Sequence, residues 1–243
     1  MPRQIPPMPV LVGTSGYAYK EWKGTFYPEK LPAAEFLRYY GSQFSTVEIN
    51  NTFYRMPTEK LLLQWAEQVG DDFRFVLKLS QRITHFKRLK EVGDEVAYFL
   101  RTATALGDKL GPTLVQLPPN MKVDVPRLVD FLALFPSRWK SAIEFRHASW
   151  HTDEVYEALR ARDAALCVAD TDEAEGDAKR PPAILSTASW GYLRLRRERY
   201  DARALRKWAD LVGTQSWTDA YVFFKHEDAG AGPKLAAKFQ ALV

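Results

Sequence analysis

Eight short hydrophobic runs recur along the chain, and segments with helical spacing separate them. Each run is rich in Val, Ile, Leu and Phe and is bounded by Gly, Pro or charged residues. This composition is typical of strands that are buried on both faces. The pattern predicts strands at Val10–Thr14, Thr46–Asn50, Phe73–Leu79, Thr113–Leu117, Ser141–Phe145, Ala165–Asp170, Gly191–Arg196 and Ala220–Lys225.

The intervening segments place apolar residues on one helical face. This spacing predicts helices over residues 32–44, from Thr58 onward and over residues 92–106. Asp124 and Asp201 are candidate N-caps for the helices that follow them, because a carboxylate accepts hydrogen bonds from the first turn of a helix.

Strands that alternate with helices imply βα units and a parallel sheet with right-handed connections. Eight such units within 243 residues fit a (β/α)8 barrel, a fold that often uses about 200–250 residues as one domain. An open doubly wound sheet is the alternative, but its first turn should carry GxGxxG, and this chain has GTSGY. We therefore predict an α/β protein with a single TIM-barrel domain over residues 1–243.

Composition narrows the class of protein further. Hydrophobic residues make up 46% of the chain and charged residues 26%, which indicates a folded protein. The single cysteine, Cys167, excludes an internal disulfide framework. No apolar run approaches the roughly 18 residues of a membrane span, and the proline-rich N-terminal segment lacks the apolar core of a signal peptide. We expect a cytoplasmic protein that does not span a membrane.

Charge is distributed unevenly. The chain has 34 basic and 30 acidic residues, and a net charge of +4 is too small to favour nucleic acid as a partner. Residues 170–177 hold five acids and no base. The segment 171–190, which contains most of this acidic run and two prolines, is predicted to be a loop. Residues 194–207 hold seven bases and two acids. This basic stretch could mark where an anion binds.

Polar side chains stand near the C-terminal end of most predicted strands. Every second residue of a barrel strand points into the lumen, and most lumen positions are apolar. Because burying isolated charges costs several kcal/mol each, these groups should meet one another, water or a ligand at the barrel mouth, where such enzymes place their chemistry. The catalytic candidates are Glu48, Glu144 and Lys78, and the candidates for substrate binding are Ser15, Asn50, Tyr54, Gln116, Arg146, Trp150, Asp170, Arg194 and His226.

These candidates suggest an enzyme that acts on a small anionic substrate, either phosphorylated or sugar-like, by acid–base chemistry. Glu48 and Glu144 would be the acid and base. Cations would hold the substrate and tune these carboxylates, and aromatic rings would form the pocket wall; the cations are Lys78, Arg146 and Arg194, and the rings are Tyr54 and Trp150. This interpretation needs no cofactor.

Other interpretations of the same residues remain open. The charged side chains could form an ion-pair lattice that fills the barrel without chemistry, in which case Glu144→Gln would cause a large loss of stability. Lys78 could form a Schiff base with a carbonyl substrate. Glu48 and Glu144 could serve as the paired carboxylates of a glycosidase. The chain could also be a non-catalytic module that binds an anion or nucleic acid through Arg194–Lys207.

A divalent metal is a further alternative, as part of a metal-assisted phosphoester or nucleic-acid hydrolase. Its ligands would be Glu48, Glu144 and Asp170 with His147 or His226. The four histidines show no HExxH or other tight ligand spacing, and the neighbouring cations would repel a metal ion. We therefore predict no metal site. Substrate, reaction and oligomeric state stay open.

Several long motifs in the same order resemble the family called domain of unknown function 72. They are GTSGYAYKEWKGTFYP (13–28), FSTVEINNTFYRMP (44–57), FRFVLKLSQRITH (73–85), LGPTLVQLPP (110–119), AIEFRHASW (142–150), VAD (168–170), YLRL (192–195) and YVFFKHEDAGAGPKLA (221–236). The resemblance spans essentially the whole chain and implies a TIM barrel, with no established reaction. The motif positions include Ser15, Glu48, Asn50, Tyr54, Arg55, Lys78, His85, Gln116, Glu144, Arg146, His147, Trp150, Asp170 and Arg194.

Two places depart from the pattern of the family that the chain resembles. Arg196-Arg197 stands where the family usually has His-Gly, and Lys225-His226 stands where Asn-Asn is common. Both lie on the seventh and eighth predicted strands, which commonly form the phosphate-binding corner of TIM barrels. These departures point to a substrate that differs from the family's.

Overall fold

The computed structural model describes residues 8–172, 184–225 and 230–243. Within them, parallel strands form a sheet that curves into a barrel surrounded by helices. The nine strands are β1 (Val10–Ser15), β2 (Thr46–Ile49), β3 (Arg74–Lys78), β4 (Leu110–Gln116), β5 (Ser141–Glu144), β6 (Ala165–Leu166), β7 (Val168–Asp170), β8 (Gly191–Leu195) and β9 (Ala220–Phe224). The seven α-helices are α1 (Phe36–Gly41), α2 (Glu59–Ala66), α3 (Gly93–Ala103), α4 (Val125–Ala133), α5 (Asp153–Arg160), α6 (Ala202–Gly213) and α7 (Ala231–Gln240).

The barrel prediction is confirmed, with one strand broken in two. The strand order is β6-β5-β4-β3-β2-β1-β9-β8-β7. The terminal strands β6 and β7 are two halves of the sixth predicted strand and are separated by Cys167. At the break, the Cys167 N–H donates to Ile143 O of β5 at 2.9 Å, whereas the Leu166 N–H donates to the Thr187 hydroxyl at 2.8 Å. Nine strands therefore occupy the eight predicted positions.

The predicted helices are also confirmed, with small differences in their bounds. Residues 32–44 contain α1, preceded by a 3-10 turn at Ala33–Glu35, and α2 begins directly after Thr58, whose hydroxyl accepts from Leu61 N–H. Asp124 and Asp201 accept from backbone N–H groups in the first turns of α4 and α6. Residues 184–190 form neither helix nor strand; the rest of the predicted acidic loop, residues 173–183, lies outside the described residues. Nowhere in the described ranges is a helix long and apolar enough to cross a bilayer.

The apolar side chains form two clusters, one between the barrel and the helices and one inside the lumen. Successive side chains of a strand point to opposite faces, so residues two apart share a face. Four strands place a polar residue two positions beyond an apolar lumen residue: Lys78 follows Val76, Gln116 follows Leu114, Glu144 follows Ala142 and Arg194 follows Tyr192. The lumen is therefore apolar in its interior and charged at the C-terminal ends of the strands. We call this charged end the barrel mouth.

The pairing of β3 with β4 shifts by one residue near the start of β4. Phe75 pairs with Leu110, but Leu77 pairs with Thr113 and Lys78 with Leu114. The extra residue on β4 coincides with Pro112, which has no N–H to donate to the sheet, and such bulges often re-aim side chains near functional sites. After the shift, Lys78 lies beside Leu114, so that both side chains face the lumen.

Candidate functional site

A guanidinium joins the two glutamates of the lumen. Arg194 Nη1 donates to Glu144 Oε2 at 2.5 Å, and Arg194 Nη2 donates to Glu48 Oε1 at 2.8 Å. The three side chains, at most 3% exposed, are sealed from solvent. We call Glu48, Arg194 and Glu144 the buried triad. Buried charges are tolerated when they are paired and hydrogen-bonded in this way.

Neighbouring side chains complete the hydrogen bonding of both carboxylates. Glu48 accepts from Tyr192 Oη at 2.7 Å and from Asn50 Nδ2 at 3.2 Å, and Glu144 accepts from Gln116 Nε2 at 2.6 Å. Burial by itself would raise the pKa of Glu48, but the Arg194 charge and these donors outweigh it and lower that pKa to about 2. The same balance lowers the pKa of Glu144. Both groups are therefore ionised acceptors at neutral pH.

Lys78 is a buried cation that lies close to the buried triad but is not paired with either of its carboxylates. Its Nζ donates to Gln116 Oε1 at 2.8 Å and lies 4.1 Å from the centroid of the Phe53 ring. Among the described residues it forms no ion pair, although only 8% of the residue is exposed. Burial, followed by the charge of Arg194, lowers the pKa of Lys78 to about 8. A substantial fraction of this amine is therefore neutral near physiological pH.

His85 lies beside Lys78 on a π-helical turn, Arg82–Phe86. Its ring packs edge-on against Phe53 at 4.9 Å, and Nδ1 is 2.8 Å from the Thr84 hydroxyl. Burial and the nearby charge of Lys78 are the main factors that lower its pKa. The imidazole is therefore largely neutral at pH 7. His85 was not among the predicted site residues; its signal in the sequence was its place in the motif FRFVLKLSQRITH.

The loop that follows His85 holds an uncommon backbone conformation. Arg88, Leu89 and Glu91 have φ values of 49°, 66° and 48°. Side chains other than glycine seldom adopt this left-handed region, and each such residue costs on the order of 1 kcal/mol. Leu89 is 5% exposed, so burial of its side chain helps to hold the loop in place. Strain of this kind is characteristic of functional loops.

Two arginines add positive charge at the mouth. Arg146 lies two residues beyond Glu144, and its charge contributes to the lowered pKa of His85. Arg196 lies two residues beyond Arg194, and burial and the Arg194 charge lower its pKa. Arg196 was noted as a departure from the family pattern but was not predicted as a site residue. The alternation of side chains along β8 predicts that Arg196 faces the lumen, because residues 194 and 196 share a face.

Several predicted site residues lie apart from this cluster. Asp170 faces outward, where it accepts from Tyr200 Oη at 2.9 Å and Trp208 Nε1 at 3.2 Å. Trp150 is fully buried: it stacks on Phe145 with 4.8 Å between ring centroids, and it donates from Nε1 to a backbone carbonyl. The structure therefore does not bring Asp170 or Trp150 together with the buried triad.

The remaining candidates among the described residues lie at or near the mouth. Ser15 is 2% exposed and pairs in register with Glu48. Tyr54 is 71% exposed, and its ring meets the Phe53 ring edge-on at 5.1 Å. His226 lies outside the described residues.

The carboxylates proposed as metal ligands are not arranged as a set. Glu48 and Glu144 are engaged by Arg194, and Asp170 faces α6. In the part of the chain that the structure describes, no group of three or more His, Cys, Asp or Glu side chains is placed to hold a metal ion.

A parallel barrel with a charged network at the C-terminal ends of its strands defines the class of this protein as a TIM-like α/β barrel. The family described as "Protein of unknown function DUF72" matches residues 11–243, and the chain belongs to this family. The resemblance seen in the sequence motifs is thereby confirmed.

Individual relatives agree with this assignment. UPF0759 protein YecE from Escherichia coli strain K12 is 35% identical over 112 residues, a stretch that covers 46% of this chain and 41% of that relative. UPF0759 protein YunF from Bacillus subtilis strain 168 is 22% identical over 230 residues, and the matched stretch covers 78% of that relative. The crystal structure of a DUF72 family protein from Thermotoga maritima superposes with a TM-score of 0.83 at 28% identity, covering 96% of this chain and 98% of the other. A DUF72 family protein from Enterococcus faecalis has the same fold, with a TM-score of 0.75 at 18% identity.

Proposed function

We propose that the protein is an enzyme that acts on a small anionic substrate, phosphorylated or sugar-like, by acid–base chemistry at the barrel mouth. The observation that carries this proposal is the Lys78 amine, which is buried at the C-terminal end of β3 and hydrogen-bonded to an amide rather than to a carboxylate. A buried ammonium without a carboxylate partner is costly for stability. Groups of this kind are frequent in active sites, where a shifted pKa serves catalysis.

Charge at the mouth favours an anion. Arg194 pairs with both buried carboxylates but balances only one of their two negative charges, and the Lys78 ammonium balances the other. Among the described residues, Arg146 and Arg196 then add positive charge at this end of the barrel. Fixed cations attract an anionic substrate and stabilise negative charge that develops during a reaction.

Lys78 and His85 are the groups that move protons in this proposal. A catalytic base works best when its pKa is close to the working pH, and the pKa of Lys78 is about 8. The neutral amine of Lys78 takes a proton from the substrate, and the imidazole of His85 exchanges a second one. These roles differ from those inferred from the sequence, which gave acid and base roles to Glu48 and Glu144. The contacts favour a supporting role for both glutamates, because their pKa values lie well below neutrality.

The rim of the mouth also offers exposed aromatic surface. Tyr54 and Phe86 are 71% and 72% exposed, and they flank Phe53 and His85 along the chain. Exposed rings next to cations suit a substrate with an apolar face, such as a sugar ring.

A substrate screen tests the proposal. Small phosphorylated, carboxylated and sugar compounds are incubated with the protein in deuterated buffer, and ¹H NMR follows exchange of substrate C–H protons and product formation. Lys78→Met should abolish turnover of any compound that reacts, and Lys60→Met, on the exposed surface of α2, should leave it unchanged. A reactive compound whose turnover survives Lys78→Met would contradict the assigned role of Lys78. The absence of turnover across all anionic compounds would count against an enzyme of this class.

A further inference from the structure

A second basic site lies outside the barrel, between the C-terminal end of β7 and α6. A cavity of about 310 Å³ opens there, lined by two acids, Asp170 and Asp201, by Trp208 and by four cationic side chains: Arg197, Arg199, Arg203 and Lys207. We call this cavity the α6 pocket. It contains much of the basic stretch that stands out in the sequence, and the proposed reaction at the barrel mouth does not use it.

Asp170 holds one of these cations in a fixed orientation. Its carboxylate is 2% exposed and accepts from Arg197 Nε at 2.6 Å, in addition to its hydrogen bonds from Tyr200 and Trp208. Arg197 is held through Nε, and neither of its two terminal nitrogens is hydrogen-bonded to a described residue. A buried carboxylate that binds a guanidinium through Nε alone leaves the two terminal nitrogens of the guanidinium available to bind an external anion.

The other three cations form no ion pair within the described part of the chain, although Asp201 lines the same cavity. Arg199, Arg203 and Lys207 are all exposed, and none of them forms an ion pair there. Arg203 and Lys207 stand four residues apart, on the same face of α6, where like charges repel and destabilise the helix. The N-terminus of α6 is already capped by Asp201, so the positive character of the pocket comes mainly from side chains. A bound anion would relieve this repulsion.

We infer that the α6 pocket binds the phosphate group of a small phosphorylated molecule. The planar guanidinium fork of arginine matches the oxygens of a phosphate. The cavity volume is at the lower end of the range for small-ligand sites, and a concave site of this size favours a small molecule over the extended backbone of a nucleic acid. The site is separate from the barrel mouth, because the adjacent residues Arg196 and Arg197 point to opposite sides of the chain. The inference does not depend on the proposed reaction.

Pyrophosphate is the probe, and isothermal titration calorimetry of the full chain is the measurement. The variant Arg203→Ala/Lys207→Ala removes two cations of the pocket. Arg206→Ala is the matched control, because Arg206 lies on the same helix and is exposed but does not line the pocket. The double variant should weaken pyrophosphate binding by about tenfold or more, and the control by less than about twofold. All substituted side chains are exposed, so the melting temperature should confirm that each variant is folded.

Three results would overturn the inference. One is the absence of pyrophosphate binding at about millimolar concentration in roughly 50 mM salt. Another is an equal loss of affinity in Arg206→Ala, which would indicate diffuse attraction by the basic surface. The third is much tighter binding of a single-stranded oligonucleotide that also depends on Arg206, which would identify a nucleic-acid surface instead.

Discussion

The Lys78 ammonium donates to the side-chain oxygen of Gln116 at 2.8 Å, and no carboxylate of the described residues pairs with it. Gln116 is fixed in this orientation because its amide nitrogen donates to Glu144 at 2.6 Å. A neutral acceptor stabilises an ammonium less than a carboxylate does, so burial dominates and the pKa of Lys78 falls to about 8. The amide thus separates the amine from the buried triad and leaves it reactive.

Replacing Lys78 with an apolar residue should stabilise the protein. The pKa of Lys78 is about 8 in the folded state, against 10.5 for the free side chain. The burial penalty is therefore present in full below pH 8 and disappears as the pH rises to about 10.5. Lys78→Met should raise the free energy of unfolding at pH 7 by about 1–3 kcal/mol, and by less at pH 10.

Urea denaturation at both pH values measures this effect. Lys60→Met is the control and should change stability by no more than about 0.5 kcal/mol. Destabilisation by Lys78→Met at pH 7 would show that the amine contributes to the fold and is not a costly functional group.

Glu144→Gln should lower the free energy of unfolding by about 1–3 kcal/mol. The substitution keeps the shape of the side chain, and Arg194 keeps its ion pair with Glu48. Glu144 accepts from both Gln116 and Arg194, so an amide in its place leaves one of these buried donors without an acceptor. Chemical denaturation of Glu144→Gln beside Glu59→Gln, an exposed glutamate on α2, tests this expectation. An unchanged free energy of unfolding would mean that the buried triad does not stabilise the barrel, and the supporting role assigned to Glu144 would be wrong.

Glu48 should cause the free energy of unfolding to decrease at acidic pH. Its pKa is about 2 in the folded state, against 4.5 for the free side chain. The folded state binds fewer protons than the unfolded state between these values, so the stabilising contribution is complete above about pH 4.5 and is lost as the pH falls towards 2. Unfolding free energies measured from pH 6 down to pH 2.5 should fall less steeply for Glu48→Gln than for the wild type. Identical slopes would exclude Glu48 as a source of the acid sensitivity.

Close packing of β1 on the start of β2 explains a glycine on β1. A Cβ on Gly13 would lie 2.0 Å from the backbone oxygen of Thr46 on β2, and the paired strand cannot move away. Gly13→Ala should lower the free energy of unfolding by about 2–4 kcal/mol. Gly213→Ala, at the end of α6, is the matched control: it meets no atom within 4 Å and should stabilise the helix by about 0.5–1 kcal/mol. Thermal denaturation distinguishes the two, and equal effects would contradict the packing of β1 on β2.

The sequence predicted the barrel and much of the buried network for a single physical reason. Side chains alternate along a strand, so a polar residue two positions beyond an apolar lumen residue must face the same interior. This holds for Lys78, Gln116, Glu144 and Arg194. The hydrogen bonds among them could not be predicted, because they depend on how neighbouring strands are staggered, including the register shift between β3 and β4.

The misplaced residues have different causes. On the sixth predicted strand Ala165 and Cys167 face the lumen, so the two-residue period itself points Asp170 outward towards α6. Trp150 lies on a short 3-10 turn, where a two-residue period has no meaning. His85 lies on a π-helical turn, which no hydrophobic period indicates. Strand periodicity therefore predicts which side chains face the lumen beneath the site. It does not predict the residues at the barrel mouth that lie on irregular turns.

The most direct test of the proposed active site is the reactivity of the Lys78 amine. Pyridoxal phosphate, an anionic aldehyde, is added between about pH 6 and 11, the adduct is fixed with borohydride, and mass spectrometry compares Lys78 with the exposed Lys60. The account predicts faster modification of Lys78, with a midpoint near pH 8, and suppression of that modification by inorganic phosphate. Modification of Lys78 only at the high pH that Lys60 requires, or no modification at all, would contradict a reactive amine in an anion-binding mouth.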